Sequence, residues 1–532
     1  MCNLYKVMVV MFALGMMMFL AACGQQQPEA PAPAPAAVQP GAAVAEPGPA
    51  PEAQPDEQLV FVVSSFPLSL DNALANEWNA HRINMNMVET LVKFDGPDYN
   101  IVPLLAESWD FQDPQTVIFN LRQGVLFHNG DEMRASDVAF SIMRGVNSPP
   151  VRFILDTIES VDVIDDFTVQ VNLNTPFVPI LSHLTHPGAA INSERAVREK
   201  GDDFANHPIG TGPFQFGSMM LGNYVELVRF DDYWGEPAGV ASIRLIVIPE
   251  AASRLIAVET GAAHLAFDIS PHDIPRMRES PYMTYDITPI ARLHFLGLNH
   301  ESATAPALQD PRVRQAINHA IDVPAIIAAV YQGLGRITHG PMIAIPASLE
   351  FEGIEFNVDR ALELMEEAGY ADGFPLSLWV NADNQLEVDT AVILQNMLGQ
   401  IGIDVEITSA EFATFLASIN AGEHDAYVLS WTNMTFDPDY ALTLFHGSSR
   451  PSPNRFRYHN PELDRLLDLG REEMDPALRL EIYHQAQEII VQDMPAVFLM
   501  QAEELTALSP NLRNFLNFPV STPRLANVYI TN

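Results

Sequence analysis

Asp310-Pro311-Arg312-Val313-Arg314-Gln315-Ala316-Ile317-Asn318-His319-Ala320-Ile321 decides the fold class of this chain. Asp310 can accept from the unpaired N–H groups of a first helical turn, and Pro311 brings no N–H that needs a partner there. Val313, Ala316, Ile317, Ala320 and Ile321 then recur every three or four residues, which lines them along one helix face. The same opening returns at Asn460-Pro461 and at Asp475-Pro476. The second of these predicts a long helix with Leu480, Tyr483, Ala486, Gln487 and Ile490 inward. Asn357 starts another, with Ala361, Leu362, Met365 and Ala368 inward and Gly369 at its C-terminal end. Ala391, Leu394 and Leu398 share a face of one more.

Short apolar runs stand between these helices, at Leu376 to Val380, Val405 to Ile407 and Tyr427 to Ser430. Helix alternating with strand from about residue 300 to 500 predicts an α/β domain. Upstream the balance shifts to strands: Leu59 to Val63, Val117 to Leu121, Val169 to Leu173, Tyr224 to Val228 and Leu245 to Ile248. That part reads as α+β. A chain of 532 residues exceeds what one hydrophobic core serves, so two or three domains are expected.

The stretch with the most chemistry is Tyr427-Val428-Leu429-Ser430-Trp431-Thr432-Asn433-Met434-Thr435-Phe436-Asp437-Pro438-Asp439-Tyr440. A strand runs into a loop carrying an indole, an amide, a thioether and two carboxylates. Ligands of α/β sheets collect beyond the carboxyl ends of strands. Trp431 offers a rigid wall, and Asp437 and Asp439 offer acceptors. The competing reading makes Asp437-Pro438 a helix start and Trp431 a core residue. Arg455, further on, is a candidate cationic contact. His128-Asn129-Gly130-Asp131 reads as a tight turn, and Gly210-Thr211-Gly212-Pro213-Phe214 as a close backbone turn rather than a phosphate loop.

Composition narrows the function. Asp and Glu number 67 against 28 Lys and Arg, a formal net charge of −39. Such a surface repels nucleic acid, and no basic cluster supplies a phosphate track. No nucleophile elbow or His-Glu-x-x-His helix is present, which speaks against an enzyme and against a cofactor. A glycoside hydrolase using a pair such as Asp437 and Asp439 is the alternative of a different class.

The N-terminus reads as an export signal, residues 1–22. Lys6 precedes an apolar run ending in Leu20-Ala21-Ala22-Cys23. Its length of about 16 residues is short of a membrane span. Residues 23–58 are a Pro/Ala-rich tract, including Pro28, Pro31, Pro33, Pro35 and Pro40, with the composition of a disordered tether. Cys2 and Cys23 are the only cysteines, so no disulfide or thiolate metal site is expected in the body.

The end of the leader resembles a bacterial lipobox, which implies lipidation at Cys23. The body resembles the family 5 extracellular solute-binding proteins of ABC importers. The resemblance rests on Val88-Glu89-Thr90-Leu91, Pro103 to Trp109, Phe119 to Gly130, Ser136 to Ser141, Pro208 to Phe214, Asp310 to Ala316 and Glu367 to Tyr370. It implies a non-enzymatic, periplasmic-binding-protein-like type II α/β fold, with two lobes joined by a hinge and an extra inserted α+β domain. Lobe I would comprise 59–102, 208–297 and 502–532, domain II would be 103–207, and lobe II would be 298–501. A solute would be enclosed between the lobes and delivered to permease subunits, with the receptor held outside the cytoplasm, in the periplasm or at the cell surface, by its lipid.

The resemblance also points to Trp431, Asn433, Met434, Asp437, Asp439 and Arg455 as ligand-binding. Peptide-binding members place an Asp three residues after this Trp, where it pairs with the peptide α-ammonium; here Met434 stands at that place. A peptide-like solute is the leading expectation, and an oligosaccharide or another non-peptide solute the alternative. Metal ligation by protein imidazoles is not expected.

Overall fold

The computed structural model describes residues 57–95, 99–520 and 523–531. The export signal, Cys23 and all but the end of the tether lie outside them. The chain divides into Met1–Pro51 and Glu52–Asn532, and only the second unit contains described residues.

Its main sheet has eleven strands. At one end lie Ile403–Ala410, Phe374–Asn381 and Ala426–Thr432; at the other lie Gln58–Val63, Ser242–Val247, Tyr224–Arg229 and Phe214–Met220. Two long strands, Thr284–Leu298 and Ala496–Leu508, run antiparallel through the middle and belong to both ends. Thr284 to Pro289 pair with Leu508 to Glu503 beside Leu265–Ala266, whereas Leu293 to Gly297 also pair with the strand Ala426–Thr432. The register slips between Pro289 and Leu293. Proline has no N–H to give the ladder, so pairing lapses there and the strand bulges.

A separate four-stranded antiparallel sheet is built from Ala106–Asp113, Thr116–Leu121, Thr168–Leu173 and Ile158–Asp165. It buries its own core, around Phe119, Val169, Val171 and the helix Ala135–Val146. In the main sheet, alternation along Ala426–Thr432 sends Val428 to one core and Tyr427 and Leu429 to another on the opposite face.

The capped helices form where the sequence places them. Asp310, Asn357, Asn460 and Asp475 each accept from first-turn N–H groups of Pro311–Ala320, Val358–Glu367, Pro461–Glu472 and Pro476–Asp493. Two inward assignments are corrected. Leu362 is 42% and Leu480 39% exposed, and the helices pack through Leu364 and Ile482 instead. Gln58, read as tether, already lies in the first strand.

The turns at Gly130 and Gly210 meet. Gly130 has φ 84° and closes its turn with an N–H bond to Phe127. His128 Nδ1 accepts from the Gly210 N–H at 3.3 Å, and its Nε2 lies 3.0 Å from the Gly212 carbonyl. A Cβ on Gly210 would come within 2.3 Å of the Met87 carbonyl oxygen, so only glycine allows this approach.

Candidate functional site

Trp431 is at the end of its strand, on the same face as Tyr427 and Leu429, and is half-buried. Its ring stacks on Tyr440, which sits on the helix Pro438–Leu442 and is buried in the core of the four-stranded sheet. Trp431 and Met434 both touch that core and the core beneath their own strand. The loop between them and Tyr440 therefore joins two cores.

The other predicted residues are placed differently. Asp437 caps the helix Pro438–Leu442 by accepting from the Asp439 N–H at 2.8 Å, and it pairs with Arg479 at 2.7 Å. Asp439 pairs with Arg471 at 2.6 Å. Both carboxylates are buried, and both arginines belong to the two following helices. Burial alone would lower Arg479, but Asp437 and its neighbours hold its proton more tightly than usual. Asn433 is buried too, its N–H donating to the Ala291 carbonyl at 2.7 Å. Arg455 is bonded to Asn420 and Ser452, away from these contacts.

Of the predicted residues, Met434 lines a gap where four chain segments meet. In this conformation that gap holds about 30 Å³, room for a water molecule or two, and opens to solvent. Met85 and Phe94 form one wall and Thr185 and Pro187 another. Phe518, Val520 and Arg524, from the C-terminal segment, complete it. The convergence has a backbone cause: Ala291, inside the strand bulge, donates to the Pro519 carbonyl at 2.7 Å while its own carbonyl holds Asn433. One irregular residue thus fixes the Met434 loop and the 518–520 segment side by side.

Phe436 closes the loop's outer edge. It stacks on Tyr99 at 4.1 Å and meets Phe94 edge-on at 5.0 Å. Its φ of 51° is one that a bulky side chain rarely adopts, so the aromatic contacts hold a strained backbone in place.

The opposite strand face carries a polar cluster. Arg292 donates to Thr432 at 3.2 Å and lies over the Trp78 ring at 5.1 Å. Arg82, from the helix Trp78–Asn84, bridges Glu504 at 2.8 Å and Asp268 at 3.3 Å. Glu387 is buried with one carboxyl oxygen lacking a hydrogen bond; burial pushes its pKa up to about 7 against the pull of Arg292.

Among the described residues, no group of three or more His, Cys, Asp or Glu converges on a metal position. No described helix is long and apolar enough to cross a membrane.

Residues 100–452 match the model of the bacterial extracellular solute-binding proteins, family 5. The chain belongs to that family. The family 5 relatives include the glutathione-binding protein GsiB of Pectobacterium atrosepticum, 27% identical over 480 residues, covering 87% of this chain and 92% of that one. Among solved family 5 structures, the periplasmic binding protein DppA of Helicobacter pylori, in complex with the peptide STSA, is 28% identical with a TM-score of 0.76. It covers 90% of this chain and 98% of its own. HbpA2 of Haemophilus parasuis is 27% identical with a TM-score of 0.81, covering 90% and 100%. The family 5 fold is the α/β periplasmic-binding-protein-like type II architecture, and the fold expected from the family resemblance of the sequence is met.

The gap residues that sequence reasoning missed are Met85, Phe94, Thr185, Pro187, Phe518, Val520 and Arg524. No local periodicity marks them, because four separate chain segments bring them together.

Proposed function

We propose that this chain is a non-enzymatic receptor that captures a small, peptide-like solute in the gap beside Met434 and delivers it to an ABC import permease. The observation that carries this reading is that gap, walled by four segments distant in sequence and meeting at the bulge of the two long strands. Residues 59–102, 208–297 and 502–532 act as one lobe, 298–501 as the other, and 103–207 as the inserted domain. The lobes open about the Pro289–Leu293 bulge to admit the solute, and closure then removes solute and apolar walls from water together, which supplies affinity and distinguishes the loaded state. The glutathione and peptide named for the relatives support a peptide-like solute.

Mass spectrometry of what is released when freshly purified protein is denatured tests the solute class. A bound peptide or glutathione-like compound is expected; a sugar or a metal chelate as the sole occupant overturns it. Absence of turnover on incubation with that compound tests the non-enzymatic part.

The receptor is held at a membrane surface by lipid on Cys23, with residues 23–57 as a spacer. Leu20-Ala21-Ala22-Cys23 supports this. Metabolic labelling with a fatty acid should mark the wild type and not Cys23→Ser; equal labelling removes the anchor.

A further inference from the structure

Arg524 is the one charged side chain among the described residues that line the gap. It is half-buried, and no carboxylate of a described residue lies within ion-pairing distance of it. Glu89 is the largest acidic influence on it and Asp95 a weaker one, and the Glu89 carboxyl already accepts from Tyr233 at 2.8 Å, Trp234 at 2.9 Å and Thr211 at 2.9 Å. A guanidinium keeps its charge throughout the accessible pH range, so this one is left partly desolvated without a direct counter-ion. Its planar fork matches a carboxylate with two parallel N–H bonds.

The other lining residues supply no matching anion for a ligand cation. Met434 offers a thioether, and Thr185 is the only polar uncharged side chain among them. Thr185 donates its hydroxyl proton to the Ser182 carbonyl at 2.7 Å, which leaves its oxygen to accept one neutral N–H. An ammonium in this gap would lose its hydration and gain no charged partner.

We propose that Arg524 holds a carboxylate of the solute and that the end of the solute lying against Met434 carries no charged ammonium. The gap then selects acidic, amino-blocked or side-chain-linked peptides over compounds recognised by a free α-amino group. This rests on the reading of the chain as a receptor for peptide-like solutes, and it adds which charge the site reads.

The test uses the full chain and calorimetric titration with a panel of N-acetyl tripeptides, the same panel as C-terminal amides, and the same panel with free amino ends. Acetylated acids should bind at least about tenfold more tightly than acetylated amides. Arg524→Gln should bring acids down to the level of the amides, and Arg524→Lys should restore part of the difference, since it keeps the charge without the fork. Acetylated acids should also bind more tightly than free-amino acids, whose ammonium loses its hydration without a charged partner.

Acids and amides that bind the wild type equally remove the anchor and leave the peptide reading standing. Discrimination that survives in Arg524→Gln does the same. Free-amino peptides binding as tightly as acetylated ones, or more tightly, overturn the uncharged end. Binding of no panel member removes the peptide reading, and this occupant of Arg524 with it. Unfolding of each variant without solute is followed alongside; if Arg524→Gln does not fold, the acid and amide comparison on the wild type and Arg524→Lys still decides.

Discussion

The indole of Trp431 lies nearly parallel over the ring of Tyr440, centroids 5.2 Å apart and planes 22° from parallel, and its N–H donates to the Tyr440 carbonyl at 3.3 Å. The strand end and the helix after the loop are therefore clamped by one side chain. Tyr440 also belongs to the core of the four-stranded sheet, so the clamp couples that sheet to the strand.

Trp431→Ala should then lower the unfolding free energy by about 2–3 kcal/mol, through lost packing and the lost stack. Trp431→Phe should lose less than half as much, because a ring remains over Tyr440. Urea denaturation followed by circular dichroism measures both. A midpoint unchanged in Trp431→Ala would mean that the stack bears no load, leaving only a ligand wall.

The two loop carboxylates make a different prediction. Asp439 is buried against Arg471, whose backbone carbonyl also accepts from the Val178 N–H at 2.8 Å. Asp439→Ala leaves the partly buried guanidinium with only the exposed Asp468 at 3.5 Å and should cost about 2 kcal/mol of stability. Adding Arg471→Ala should recover part of that loss, and a double-mutant cycle reads the recovery as coupling. Solute affinity per folded molecule should stay within about threefold, since both groups are satisfied inside their own contacts. A large affinity loss without a stability loss would return Asp439 to the ligand.

Much of this architecture was legible because local chemistry and fold agree. Asp310-Pro311, Asn357, Asn460-Pro461 and Asp475-Pro476 cap the helices they announce, since capping involves only residues within one turn. Leu362 and Leu480 were assigned to the wrong face because a helix with apolar residues on several sides does not say which side is covered. The strands Thr284–Leu298 and Ala496–Leu508 escaped notice for a related reason. Pro289 and the polar residues around it look like a break, and only the fold shows that the strand runs through a bulge. At the site, Trp431 and Met434 were visible as a strand end entering a loop. Asp437 illustrates the limit: the same Asp-Pro pair signals a helix start and a ligand acceptor, and burial against Arg479 makes it the former. Arg524 had no signal of its own, because its segment is held by a bond from the neighbouring Leu525 N–H to the Asn86 side chain, far away in sequence.

Met434→Asp introduces a carboxylate where the gap has none. Peptides with a free α-amino group should then gain at least about tenfold over their N-acetyl forms, as a buried charge pair forms. Calorimetric titration of matched free and acetylated tripeptides gives the ratio. A ratio unchanged from the wild type would place the solute's amino end elsewhere.

Acid should weaken the fold through its buried imidazoles. Burial lowers His81, His128 and His424 to about 4 and His294 and His300 to about 3, and drives His186 far below its ordinary value. Unfolded, each returns to about 6.5. Above that pH both states are neutral and the full stability is present. As pH falls from about 6.5 towards 4, the unfolded chain takes up protons that the folded one refuses, and each group removes about 1.4 kcal/mol per pH unit. Stability should therefore drop steeply across this window. Calorimetry at pH 5 in buffers of different ionisation heat should show uptake of several protons on unfolding, and none would contradict the burial.

Glu387 pulls in the opposite direction. Its folded pKa of about 7 stands above its ordinary value of 4.5, because burial outweighs Arg292 and the bond to Asn384. A carboxyl raised in this way stabilises below the unfolded value, and that contribution is lost as pH climbs through 7. At pH 8 the folded state must hold a buried, half-satisfied carboxylate, at a cost of about 3 kcal/mol relative to acid conditions. Glu387→Gln removes the charge and keeps the shape, so it should raise stability at pH 8 by about 2 kcal/mol and change little at pH 4. Urea midpoints at the two pH values decide it. If the substitution destabilises at pH 8, Arg292 holds the carboxylate more strongly than burial penalises it, and the Glu387 pKa is not raised.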